Sequence, residues 1–286
     1  MTQQLSGESE SLPALLKAEL GVKIYRRLIP QLEEIYGIPV LGLEPHREFY
    51  GQLRVQMPLL VSGKDEQGNV IDIPRDPASF AYVLKRRMEA PSEVRGAWQT
   101  NYVFTGDGSI AGTKGDHLIV LDAQALREMT PESELYNGAL VLPVDVWQEL
   151  KGQNDKVVYL TAEEVQEAYG QGYVKKNGVW TPANKSVAKV WDALGRGRDL
   201  TSYLQLVSED SPSMDSLLNI YFDKTTKDGK PTMRSWVAGR SVDDSVANGI
   251  YHLGSDFSRL VGVAPEAHVA REKALEARVR SALESG

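Results

Sequence analysis

The stretch TGDGSIAGTKGD, residues 105–116, places four glycines, two threonines and a lysine within twelve residues. It lies between two apolar segments with the texture of strands, AWQTNYVF before it and HLIVLD after it. Glycine adopts positive φ without steric cost, so Asp107-Gly108 and Lys114-Gly115 suit the tip of an extended hairpin loop. The sequence therefore predicts two antiparallel strands joined through this stretch.

The same stretch also has part of the pattern of a phosphate-binding loop. A P-loop requires its lysine to be followed by Ser or Thr at the start of a helix, whereas Lys114 is followed by glycine and a strand-like segment. A dinucleotide fingerprint requires a helix and, in its strict form, glycine at position 111, which is Ala111. A turn is favoured over a phosphate cradle, and the stretch stays the best place to look for a ligand. Candidate phosphate contacts are Gly112 and Lys114, and candidate catalytic residues are Asp116 and His117.

Strand signals joined by short turns, together with several helix signals, predict an α+β fold with antiparallel hairpins, several short helices and a long C-terminal helix. Short turns imply antiparallel pairing, because parallel neighbours need crossovers of about a dozen residues. Further hairpins are predicted over 48–74 and at Asn177-Gly178, and a strand is predicted over 232–239. Helices are predicted over 11–37, 76–90, 161–170, 184–194, 200–207, 212–221 and 243–249, and from Pro265 nearly to the end.

The length of 286 residues fits one large domain or two ordinary ones. A polar stretch, KGQNDK at 151–156, is the candidate boundary. It would divide the chain into an N-terminal α+β region with two hairpins (1–152) and a mainly helical C-terminal region (153–286). A single domain is the alternative.

Composition narrows the class of protein. The chain has no cysteine, so disulfides, thiolate nucleophiles and sulfur-ligated zinc are ruled out. The N-terminus is polar and acidic, and no apolar run approaches the roughly 20 residues of a membrane span. We therefore expect a cytoplasmic protein with no membrane partner. A net charge of −7 argues against a surface that attracts nucleic acid everywhere.

Positive charge is nevertheless concentrated between Tyr173 and Arg198, where six basic residues accompany one acid, Asp192. Aromatic rings among cations are typical of surfaces that bind phosphates and stack bases. The predicted binding residues are Tyr173, Lys175, Lys176, Trp180, Lys185, Lys189, Arg196 and Arg198. The alternative is a solvated helix face, with Trp191 in the core and with lysines that protect a strand edge.

The motifs leave several function classes open. The four histidines are far apart and none belongs to a metal-binding pattern, so no metal is predicted and the cofactor is unknown. Our first hypothesis is a non-catalytic binding or assembly protein whose basic and aromatic surface engages nucleic acid or an acidic protein. The second is a hydrolase or transferase that acts on a phosphate-bearing substrate at residues 105–117. The third is a structural subunit of a larger particle, and a homo-oligomer is a further expectation.

Overall fold

The computed structural model describes residues 46–65, 67–70, 72–153 and 155–266. The helices of these residues are α1 (Leu53–Ser62), α2 (Phe80–Glu89), α3 (Ser92–Thr100), α4 (Gln124–Arg127), α5 (Val144–Lys151), α6 (Ala162–Ala168), α7 (Lys185–Gly195) and α8 (Thr201–Asp210). The strands are β1 (His46–Tyr50), β2 (Asp76–Pro77), β3 (Val103–Ala111), β4 (His117–Val120), β5 (Leu135–Tyr136), β6 (Ala139–Val141), β7 (Val157–Leu160), β8 (Tyr173–Lys176), β9 (Val179–Pro182), β10 (Ser216–Leu217), β11 (Ile220–Phe222), β12 (Thr232–Ala238), β13 (Ala247–Gly249) and β14 (Arg259–Val263). The predicted helix over 11–37 and nearly all of the predicted C-terminal helix lie outside the described residues.

The strands form one sheet of eleven strands and one of three. The large sheet has the order β1-β14-β3-β12-β13-β11, with β4 and then β7 continuing from β3, and the small sheet has the order β10-β8-β9. Pairing is antiparallel except between β3 and β14 and between β11 and β13. Each exception joins strands separated by other elements, which leaves enough chain for a crossover. The α+β class is confirmed.

The central strand β3 is buried along its whole length, because apolar side chains cover both faces of the sheet around it. On the neighbouring strands, successive side chains alternate between two hydrophobic clusters, one on each face of the sheet, as burial on both faces requires. On β4, Leu118 and Val120 belong to one hydrophobic cluster and Ile119 to the other. On β12, Val237 belongs to the first of these clusters and Trp236 to the second.

This double burial corrects our interpretation of residues 105–111 as a hairpin loop. They are strand, and the turn is confined to residues 112–116. A Cβ on Gly106 would lie 2.8 Å from Pro77 Cγ, and one on Gly108 would lie 3.0 Å from the Ala123 Cβ. These two glycines therefore permit close packing, whereas Gly115 has the positive φ, 82°, that the turn requires.

The predicted hairpin over 48–74 does not form. Residues 48–50 belong to β1, which pairs with β14, and the described residues of the second predicted strand show only an isolated bridge between Lys64 and Val70. Leu53, Met57 and Leu60 are buried at the i, i+4, i+7 spacing of a helix face, and α1 forms there despite Pro58. The left-handed Gly63 ends the helix. The first half of the predicted strand AWQTNYVF is also helical, as the end of α3.

Cap positions were predicted unevenly. The helices predicted from residues 161 and 184 are confirmed, as is the turn at Asn177-Gly178. Thr161 and Glu164 form a capping box, and the Asn184 side chain accepts a hydrogen bond from the Val187 N–H. The helix predicted from residue 76 begins instead after Ser79, whose side chain accepts a hydrogen bond from the Tyr82 N–H at 3.2 Å. Asp76 and Pro77 form β2 instead.

Two predicted helices in the C-terminal half are wrong. Residues 212–221 contain β10 and the start of β11, and residues 243–249 contain a turn and β13. The described residues after position 152 therefore mix helices with strands and are not mainly helical. The boundary near residue 152 stays a prediction, although β3 and β12 pair across it.

One buried cation joins the elements on one face of the sheet. Arg87, on α2, is 0% exposed, and no carboxylate of the described ranges is paired with it. Its five donors reach the carbonyl oxygens of Trp98, Asn101 and Ala238 and the hydroxyls of Tyr203 and Ser245, at 2.8–3.3 Å. The guanidinium thus connects α2 with α3, α8 and β12.

Replacing Arg87 with Met should lower the free energy of unfolding by about 3 kcal/mol or more, because it removes five hydrogen bonds to buried carbonyl and hydroxyl groups. Chemical denaturation measures this loss. The matched control is Lys85→Met on the same helix, whose side chain is 42% exposed and pairs only with Glu89. The control should cost less than about 0.5 kcal/mol. Equal effects of the two variants would contradict the assigned role.

Candidate binding cleft at the β3–β4 turn

A cleft of about 260 Å³ opens beside the turn that joins β3 to β4. We call it the turn cleft, and it is lined by Thr113, Lys114, Asp116, Val144, Trp147, Gln148, Lys151, Tyr159, Gly229 and Pro231. Three elements supply its chemistry: the turn itself, helix α5 and strand β7. Mixed polar and aromatic groups in one concavity are the usual features of a ligand site.

Helix α5 divides its residues between core and cleft. Trp147 is only 7% exposed and packs in the hydrophobic cluster beneath the turn. Lys151 lies four residues later, on the same side of the helix and in its last turn. A cation is favoured there, because it faces the negative end of the helix dipole.

Gly112 allows the turn to approach this helix. A Cβ at this position would lie 2.5 Å from Trp147 Cη2 and would also collide with the carboxylate of Asp116. The Gly112 N–H donates to the Asp116 carbonyl oxygen at 2.8 Å. The Gly112 N–H is therefore already used by a hydrogen bond within the turn. The absence of a side chain at Gly112 allows Trp147 and Asp116 to lie close to each other.

Asp116 lines the cleft with a carboxylate that is held in place. The residue is 9% exposed, and its Oδ2 accepts a hydrogen bond from the Tyr159 hydroxyl at 3.2 Å. The ring of Tyr159 in turn carries Lys151, whose Nζ lies 3.8 Å from the ring centroid, in cation–π geometry. The Asp116 carboxylate, the Tyr159 ring and the Lys151 ammonium group thus form one continuous wall of the cleft.

The two lysines of the cleft have charge available for a ligand. Lys114 is exposed at the tip of the turn, and Lys151 is exposed at the end of α5. Within the part of the chain that the structure describes, neither ammonium group is in an ion pair with a carboxylate. An anion that enters the cleft would therefore not have to displace a carboxylate from either lysine.

His117 is directed away from this cleft. Consecutive residues of an extended strand point to opposite faces, and the His117 ring contacts Phe222 at 4.9 Å between centroids, on the face opposite Trp147. Its Nε2 lies 2.7 Å from Ser109 Oγ, and both residues are buried. Burial lowers the pKa of His117 to about 3, against the raising effect of Asp223. The catalytic roles predicted for Asp116 and His117 stay predictions, but only Asp116 lines the turn cleft.

The predicted basic surface is partly neutralised. Lys189 Nζ pairs with Glu164 at 2.7 Å. Arg196 pairs with Asp107 at 3.2 Å and with Asp122 at 2.9 Å. The cations that are exposed and have no ion pair within the described ranges are Lys175, Lys176, Lys185 and Arg198.

The two predicted stacking rings are only partly accessible. Tyr173 and Trp180 both pack against a hydrophobic cluster, and Lys175 Nζ lies 5.7 Å from the Trp180 ring centroid. An open concavity of about 480 Å³ contains Tyr173, Lys189 and Arg198 together with two acids, Asp192 and Asp199. Burial raises the pKa of Tyr173, and the two acids act in the same direction. This concavity is mixed in charge.

The sequence interpretation missed the residues that α5 and β7 contribute to the turn cleft. Trp147 and Lys151 have helical i, i+4 spacing in VDVWQELK, which is a signal that could have placed them on one side of a helix. Nothing in the sequence indicates that Tyr159 would join them, because β7 reaches the turn only through its pairing with β4.

Comparison with protein-family models, with curated proteins and with solved structures finds no match. Among the described residues, no helix is both long enough and apolar enough to span a membrane. The same residues contain no group of three or more histidines and carboxylates that could hold a metal ion. The chemistry of the side chains is therefore the basis for a functional proposal.

Two buried histidines should make stability depend on pH. Burial lowers the pKa of His117 to about 3 and that of His46 to about 4, from 6.5. The unfolded chain therefore binds more protons between these values and pH 6.5, so the free energy of unfolding should fall as the pH drops from 7 to 5. Each histidine should contribute about 2 kcal/mol to this fall. Asp72 and Asp223, whose pKa values are lowered from 3.8, act at lower pH.

Denaturation of the His117→Gln variant at pH 7 and pH 5 measures the contribution of one histidine. Between pH 7 and pH 5, the free energy of unfolding of the variant should fall by about half as much as that of the wild type. The control is His252→Gln, at an exposed position, which should keep the full fall. An unchanged pH dependence in His117→Gln would show that His117 is protonated equally in the folded and unfolded states.

Proposed function

We propose that this chain is a non-catalytic binding protein that holds a phosphate-bearing ligand in the turn cleft. The observation that carries the proposal is the position of Lys114 and Lys151, two exposed ammonium groups without described ion-pair partners, on a single cleft. Lysine is a common phosphate ligand, and hydrogen bonds from a charged donor are stronger than neutral ones.

The geometry favours binding over catalysis. The histidine that would act as a base is buried with Ser109, on the face of β4 opposite Trp147. A general base must come within hydrogen-bond distance of the proton that it removes. We therefore assign no reaction to the cleft.

Replacing Lys114 or Lys151 with Gln should weaken the binding of inorganic phosphate about fivefold to tenfold, because each change removes one charged hydrogen bond. An NMR titration followed on the five tryptophan indole signals measures the affinity. Matched controls are Lys176→Gln and Lys185→Gln, which change the net charge equally at exposed positions away from the cleft.

The controls separate a site from a general electrostatic effect. We expect them to keep the wild-type affinity within about twofold, since charges beyond a Debye length of about 10 Å are largely screened. Equal losses in all four variants, or no phosphate binding by the wild type, would contradict the proposal.

A second candidate function is the binding of a polyanion such as single-stranded nucleic acid at the segment 173–198. The observation that favours it is that Lys175, Lys176, Lys185 and Arg198 are exposed in one segment and have no ion pair within the described ranges. An acidic protein is the alternative partner for this surface. Assembly into a homo-oligomer or a larger particle stays a prediction.

The triple variant Lys175→Gln, Lys176→Gln, Lys185→Gln should weaken the binding of an oligothymidine by about tenfold or more and reduce the salt dependence of that binding. Fluorescence anisotropy at two salt concentrations measures both quantities. The double variant Lys114→Gln, Lys151→Gln is the control and should bind the oligomer normally. Binding that does not weaken with added salt would exclude this function.

A further inference from the structure

The turn cleft contains a carboxylate beside its two lysines, and this combination restricts the ligand. Asp116 is nine-tenths buried and is held by the Tyr159 hydroxyl at 3.2 Å. A phosphate group presents oxygens, which a carboxylate repels. An ionised carboxylate can only accept hydrogen bonds, so a favourable partner for Asp116 has to be a donor such as a hydroxyl group.

The size of the cleft limits the ligand further. Its volume is about 260 Å³, which is just below the range of about 300–1,000 Å³ that drug-sized ligands occupy. A space of this size suits one phosphate group and a small attached body. A polymer or a complete nucleotide would extend beyond it.

The remaining wall suits a small polyhydroxylated body. Gln148 has an exposed amide that both donates and accepts hydrogen bonds. Trp147 provides an aromatic edge next to Gly112, against which C–H groups can pack. Thr113, on the turn, adds a hydroxyl. Acceptors, donors and an apolar edge are thus arranged around one small volume.

We infer that the ligand of the turn cleft is a sugar phosphate or a similar hydroxylated phosphate ester. Its phosphate group lies between Lys114 and Lys151, and a hydroxyl group of its carbon body donates to Asp116. This assignment rests on the proposed function, because it assumes that the two lysines bind the phosphate. The carboxylate then selects hydroxylated phosphates over phosphate alone.

The experiment compares ribose 5-phosphate, inorganic phosphate and ribose as ligands of the wild type and of Asp116→Asn, by the same NMR titration. In the wild type, ribose 5-phosphate should bind about tenfold more tightly than inorganic phosphate, because it adds a hydrogen bond to a charged group. Ribose alone should bind more weakly than ribose 5-phosphate. In Asp116→Asn the preference over inorganic phosphate should fall to about twofold or less, and inorganic phosphate should bind at least as well as before, since a negative charge has been removed.

The outcomes distinguish the inference from the proposed function. If ribose 5-phosphate and inorganic phosphate bind the wild type equally, and both depend on Lys114 and Lys151, the sugar-phosphate assignment is wrong and the phosphate site stands. A tenfold preference that persists in Asp116→Asn also overturns the role of the carboxylate. If neither phosphate binds the wild type, both proposals fail. Retained binding of inorganic phosphate by Asp116→Asn shows that the variant is folded.

Discussion

The burial of β3 on both faces is the constraint on which the rest of the structure depends. A strand in the middle of a two-sided core can carry side chains only where neighbours leave room, and Gly106 and Gly108 lie where Pro77 and Ala123 press against it. The polar residues of the strand must find partners inside the protein, because water does not reach them. Asp107 illustrates this requirement.

Asp107 is 0% exposed and joins three parts of the chain that are distant in sequence. Its carboxylate accepts hydrogen bonds from the backbone N–H groups of Phe80 and Asp122 at 2.7 and 2.9 Å, and from Arg196 at 3.2 Å. Burial raises the pKa of this carboxyl, while these donors act in the opposite direction. The start of α2, the end of β4 and the end of α7 are thereby fixed to the central strand, and a buried carboxylate without such partners would be strongly destabilising.

The sequence predicted local features well and long-range features poorly. The Asn177-Gly178 turn and the helix that begins after Thr161 depend on neighbouring residues, and these were predicted correctly. A hairpin of β3 and β4 also forms, but β4 pairs with residues 108–111, which were predicted as loop. The glycines of β3 were interpreted as loop residues because their role, close packing against Pro77 and Ala123, depends on chain segments that are distant or follow a turn. The same limit applies to charge. Lys189 and Arg196 count as free cations in a sequence window, yet their partners lie outside that window, on α6 and around β3 and β4.

The turn cleft combines two kinds of wall, and they contribute differently to binding. Asp116, Trp147 and the ring of Tyr159 are held by the packing that buries β3 and by their contacts with one another, so little conformational entropy is lost when a ligand meets them. Lys114 and Lys151 are long, exposed side chains that lose rotamer freedom when they close on an anion. The two lysines therefore attract the phosphate group but lose conformational entropy when they bind it. The fixed side chains determine which group attached to the phosphate fits the cleft. Discrimination between ligands should accordingly reside in the carboxylate and the rings, whereas the two cations set the strength of binding to any phosphate.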